Sequence, residues 1–126
     1  MDAQSFGSSQ KDSLQSNRIV NMHFDEVHQD FGVVKKGEKR KTKFEFTNKG
    51  NEALEIEIVS GCECTTLDWP RKPIQPGEKG TIDVIFDSSK KEESETVEID
   101  INLKNKDPKT GYGMLKIISY SYILEE

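Results

Sequence analysis

The chain has 126 residues, with 23 acidic against 18 basic side chains and a formal net charge of -5, which suits one domain with one modest core and excludes two independently stable ones. Hydrophobic residues make up 33% and charged residues another 33%, so the surface is strongly solvated and its negative balance argues against general binding to nucleic acid or anionic lipid. No apolar run approaches the roughly 18 residues that a membrane-spanning helix needs.

Serine, glutamine and asparagine dominate from Met1 to Asn17. Little there can enter a core, so residues 1–18 are expected to form a flexible arm and residues 19–126 the folded domain. The start has no basic or apolar signal-peptide region. Two readings stand side by side: a cytoplasmic protein, or one whose leader or lipid-anchor segment has been removed.

From Ile19 the pattern changes to short apolar runs with period two. Ile19 to Phe24 reads as one strand and Asp30 to Val34 as a short second segment. The basic cluster Lys35, Lys36, Lys39, Arg40, Lys41 and Lys43 reads as an exposed turn followed by the outer face of a strand. Phe44 and Phe46 alternate with Lys43 and Glu45 before the turn Asn48-Lys49-Gly50-Asn51. Leu54, Ile56 and Ile58 share one face with Glu55 and Glu57 opposite, which predicts a half-buried strand because a helix would scatter them.

Thr65 to Pro70 reads as turn-rich, with Trp69 capping one end of the core. The stretch Pro73 to Gly80 is a connection, since its prolines lack donors and its glycines favour turns. Ile82, Val84 and Phe86 then share a face, and Val97, Ile99, Ile101 and Leu103 alternate with Glu98, Asp100 and Asn102. The last run, Leu115 to Leu124, carries apolar groups on both faces, as a strand central to a sheet or covering a partner would. The pattern predicts an all-β fold, an immunoglobulin-like β-sandwich of about seven strands.

Cys62 and Cys64 are the only cysteines, so any disulfide, metal or thiol chemistry passes through them. In an extended strand their Cα atoms would lie about 6.6 Å apart, so a bond between them needs local bending, and so small a loop removes little chain entropy. Such a bond fits a labile or regulatory role better than that of a staple. Two thiols on one face also supply half of a tetrahedral site for zinc or cuprous copper, with His28 and Asp68 as further ligand candidates. A third reading is two packed, inert side chains. Thiolate catalysis is disfavoured, because no helix follows to lower the thiol pKa and Glu63 adds a like charge.

Phe24 with Asp30-Phe31-Gly32, Gly37-Glu38, Phe44 to Asn51, Leu54-Glu55-Ile56, Gly61-Cys62-Glu63-Cys64-Thr65, Trp69-Pro70, Ile74 to Glu78 and Val84 to Asp87 resemble a bacterial immunoglobulin-like domain of unknown function. Its hallmark is Cys-Gly-Cys-Thr, its members are common in Bacteroidetes, and it is similar in fold to the major sperm protein and ciliary immunoglobulin-like domains. Glu63 stands where the hallmark has glycine. The resemblance implies no established enzyme activity and favours a periplasmic or cell-surface location, since many members look exported or lipid-anchored.

These readings converge on a non-enzymatic binding or structural module that meets another protein, with Trp69, Tyr112, Tyr120 and Tyr122 as the candidate binding surface. The chain shows no catalytic triad, paired-carboxylate signature or phosphate loop, so no catalytic residue, cofactor or nucleic-acid partner is expected. The alternative is a thiol-based redox or metal-binding protein centred on Cys62 and Cys64.

Overall fold

A computed structural model describes residues 17–125, so the arm expected over residues 1–18 falls outside the described residues except for its last two. Eight strands lie among them: β1 (Met22–Phe24), β2 (His28–Lys35), β3 (Lys39–Asn48), β4 (Ile56–Ser60), β5 (Thr65–Asp68), β6 (Lys79–Asp87), β7 (Glu95–Lys106) and β8 (Gly113–Glu125). They form two four-stranded sheets, ordered β1-β3-β6-β5 and β2-β8-β7-β4. The expected sandwich is present, with eight strands instead of about seven.

The alternation read in the sequence places the core. Phe44 and Phe46 of β3 and Ile82, Val84 and Phe86 of β6 are buried, as are Val97, Ile99, Ile101 and Leu103 of β7 and Ile118, Tyr120 and Tyr122 of β8. Phe86 joins the two layers, its ring centroid 4.5 Å from that of Tyr122 and 5.2 Å from that of Tyr120. Gly80 pairs with Phe46 across the strands. A Cβ on Gly80 would stand 2.4 Å from the Phe46 ring, so this close approach requires glycine.

Two local expectations change, and a third is decided between its alternatives. An irregularity in the β4–β7 pairing falls between Ile56 and Ile58, so Ile58 turns outward while Ile56 and Val59 are buried; a bulge of this kind reverses the faces of the residues after it. Thr65 to Asp68, read as turn-rich, is a strand that pairs antiparallel with β6, Thr65 opposite Phe86 and Asp68 opposite Asp83. The apolar residues on both sides of the last run mark β8 as a central strand between β2 and β7.

The basic cluster does lie on a strand face: Lys39 stands opposite Asp87 and Lys43 opposite Asp83 in register. Arg40 leaves this pattern and donates to the carbonyls of Phe31 and Val33, at 3.0 and 2.9 Å. These bonds satisfy carbonyls of β2, an edge strand that would otherwise invite pairing.

The two ends of the sandwich are closed differently. At one end, the buried Asn48 side chain donates to Glu52 O and Ile74 O, at 2.9 and 2.8 Å, and accepts from the Gly50 amide at 2.9 Å. Beside it Arg18 grips Glu52 through two bonds of 2.7 and 3.0 Å, and Asn105 donates to the same carboxylate at 2.9 Å. The opposite end carries the cysteines.

Candidate functional site

β4 is the edge of one sheet and β5 the edge of the other. The residues between them therefore cross from layer to layer, and Cys62, Glu63 and Cys64 lie in that crossover. Thr65 N–H donates to Cys62 O at 3.0 Å, closing a β-turn over Glu63 and Cys64. The turn, and not a strand end, brings the pair together: the Sγ atoms are joined in a disulfide and the Cα atoms lie 5.2 Å apart, inside the roughly 4.4 to 6.8 Å that disulfides span.

Cys64 is held from both sides of the sandwich. Its carbonyl accepts from the Asp87 amide of β6 at 2.9 Å. Its Sγ lies 3.4 Å from Thr65 Oγ1 and 3.6 Å from the Tyr120 hydroxyl, and these two oxygens are themselves 2.6 Å apart. Tyr120 comes from the centre of the other sheet and is fully buried. Burial pushes its phenol pKa up, partly offset by the bond to Thr65, so it stays protonated and available as a donor. Cys62 Sγ accepts from the Cys64 amide at 3.0 Å and lies 3.9 Å from Thr65 Oγ1.

The disulfide faces an open cleft of about 550 Å³ lined by Cys62, Glu63, Cys64, Asp87, Ser89, Lys90 and Lys91. Ser89 holds the Asp87 carboxylate through both hydroxyl and amide, and these bonds keep its pKa below the usual carboxylate range. Lys91 pairs with Glu95 at 2.9 Å. The cleft thus presents a disulfide flanked by two carboxyl groups, Glu63 and Asp87, and two lysines, of which Lys91 is paired to Glu95.

The other candidate residues do not gather here. His28 sits on β2, its ring nitrogens 2.8 and 3.0 Å from the hydroxyls of Ser119 and Ser121. Asp68 faces Arg71 at 3.6 Å. Among the described residues no three His, Cys, Asp or Glu side chains cluster as metal ligands would.

The four aromatic residues expected to offer a binding surface also separate. Tyr120 and Tyr122 are buried in the core, a correction that reflects their inward positions on a central strand. Burial, followed by Glu95, pushes the Tyr122 pKa up to about 12. Trp69 packs partly against the core, with the Arg71 guanidinium 3.8 Å from its ring centroid. Tyr112 alone is widely exposed, at 78%, in the loop between β7 and β8.

Sequence reasoning singled out the cysteines but missed Thr65 and Tyr120 as their partners. The threonine directly after the second cysteine was the available signal. Nothing in the spacing connects Tyr120 to it, 55 residues away.

The family model described as "Protein of unknown function (DUF1573)" matches residues 22–115. No curated protein matches the chain in sequence. Among solved structures, a protein of unknown function from Porphyromonas gingivalis W83 is similar with a TM-score of 0.65 and 21% identity, over 85% of this chain and 47% of that one. The ASH / PapD-like domain 7 of human CEP192 gives 0.64 at 10% identity, covering 85% and 87%. WR4, an MSP family member of C. elegans, gives 0.56 at 13%, covering 85% and 100%. The fold recurs inside larger chains: this one spans about half of the Porphyromonas protein and a quarter (25%) of the secreted serine protease VesC from Vibrio cholerae, where the TM-score is 0.61 at 14% identity over 95% of this chain. At these identities the likeness concerns the fold, and it agrees with the resemblance to major sperm protein and immunoglobulin-like domains.

Proposed function

Because the chain belongs to the DUF1573 family, whose function is not established, we propose that it is a non-enzymatic binding or structural module that acts through contacts with another protein outside the cytoplasm. The observation that carries this reading is the outer face of the second sheet. There Leu115 and Ile117 of β8 and Ile58 of β4 flank β7 from its two sides, Ile58 and Leu115 each opposite Asn102 and Ile117 opposite Asp100, and all three are about half exposed. Val33 and Ile123 form a second exposed pair in register across β2 and β8. Apolar side chains grouped on an open sheet face are a common protein contact surface.

The test is cross-linking in the native cell envelope with the wild type and a Leu115→Lys/Ile117→Lys variant. A protein captured by the wild type and lost by the folded variant supports the reading; identical capture by both overturns it.

A second reading is favoured by the disulfide at the crossover: the Cys62–Cys64 pair is a redox-responsive element of the module. Intact-mass analysis with and without alkylation, on protein from its native compartment and after exposure to thiol, tests it. A pair that remains oxidised throughout defeats it.

A further inference from the structure

Resting on that second reading, we propose that the Cys62–Cys64 disulfide is a thiol–disulfide exchange site with a built-in direction: an incoming small or peptide thiol attacks Cys62, and Cys64 leaves toward the Thr65–Tyr120 hydroxyl pair. Three observations carry this. The disulfide lines an open cleft, so a thiol can reach it. Thr65 Oγ1 and the Tyr120 hydroxyl stand 3.4 and 3.6 Å from Cys64 Sγ, whereas Thr65 Oγ1 is 3.9 Å from Cys62 Sγ. Finally, Tyr120 is fixed by complete burial among Phe31 and Phe86, so its oxygen keeps its place when the disulfide opens.

With only 2.6 Å between the two oxygens, one hydroxyl proton is used between them. The arrangement that serves Cys64 has Tyr120 donating to Thr65 and Thr65 donating to sulfur. A thiolate leaving group is helped by such a charge-assisted bond, and exchange is faster when the departing sulfur is the better stabilised anion. Cys62 has a competing donor, the Cys64 amide at 3.0 Å. That donor belongs to the ring closed by the disulfide, and opening the ring frees the Cys62 side chain to turn away from it.

In the first step the incoming thiolate forms a bond to Cys62 Sγ while the Cys62–Cys64 bond breaks, its electron pair remaining on Cys64 Sγ. A second thiolate then attacks the sulfur of the bound thiol, releasing a small-molecule disulfide and the Cys62 thiolate. Both protein thiolates take up protons from water. The balance is two thiols oxidised and one protein disulfide reduced.

The experiment reduces the full chain with 2-mercaptoethanol, quenches it with acid and locates the mixed disulfide by fragmentation mass spectrometry. Thr65→Val and Tyr120→Phe are run alongside, with circular dichroism confirming that each is folded. The mixed disulfide is expected on Cys62. Thr65→Val, which removes the donor to the developing thiolate, slows the first step about tenfold and shifts the mixed disulfide toward an even Cys62 to Cys64 distribution, while Tyr120→Phe, which removes only the donor behind Thr65, slows it about threefold. A mixed disulfide mainly on Cys64, or wild-type rate and distribution in both folded variants, overturns the proposal while leaving redox response intact. A wild-type disulfide untouched by millimolar thiol overturns the redox reading itself. Should either variant fail to fold, the wild-type position of the mixed disulfide still decides.

Discussion

The two ends of the sandwich solve the same problem by different means. Around Asn48, loops are closed by one buried amide with three partners and by the Arg18, Glu52 and Asn105 cluster beside it. Around Cys62 and Cys64 the closure is a three-residue covalent ring, two hydroxyls and an open cleft. The first end leaves its polar groups satisfied from within, so its contribution is to stability. The second leaves a disulfide at the wall of an open cleft, and on the exchange proposal its contribution lies in what can reach it.

Substitutions at each end test that division. The largest effect is expected at the first end: Asn48→Ala strands the Gly50 amide and the Glu52 carbonyl and leaves Ile74 O only the Leu54 amide, and urea unfolding should show a loss of about 3 kcal/mol. Gly80→Ala, near the same end, drives a methyl group into the Phe46 ring and should cost about 2 kcal/mol in the same measurement. A double Cys62→Ser/Cys64→Ser variant should lose at most about 1.5 kcal/mol, because so short a loop restricts the unfolded chain little. A loss larger than that of Asn48→Ala would reverse the comparison.

The smallest effect concerns acid. The bond from Arg18, aided by Asn105, holds the Glu52 pKa below its ordinary value of 4.5. A lowered folded-state pKa gives stability that is fully present above the ordinary value and is lost as pH falls below it through the folded value. Glu52→Gln should therefore lower stability at neutral pH, where the Arg18-paired carboxylate contributes in full, and its difference from the wild type should shrink as pH falls below about 4.5. An unchanged acid profile would separate the Arg18 cluster from the stability of that end.

Much of this division was legible in the sequence, and unevenly. The alternation in β3, β6 and β7 named the core directly, because period two assigns faces wherever a strand is regular. The reading failed where regularity failed: the bulge before Ile58 reversed its face, and Thr65 to Asp68 is too short and polar to announce a strand whose partner lies in β6. Both faces of β8 are apolar, and alternation cannot tell inside from outside on such a strand, so the burial of Tyr120 and Tyr122 is not readable from it. The cysteines were found at once. Their setting was not, since it depends on β4 and β5 belonging to different sheets and on a hydroxyl from β8.

One pairing carries a mechanical consequence. β2 and β8 run parallel, from His28 opposite Ser119 to Lys35 opposite Glu125. A pull at the start of β2 and at the end of β8 slides the strands past one another, so the bonds between them bear load together and do not open one by one. Tension transmitted along the chain would first meet β1 and the Arg18–Glu52 contact, and once it reaches β2 it would meet the β2–β8 pair in shear, where rupture requires the collective failure of its bonds.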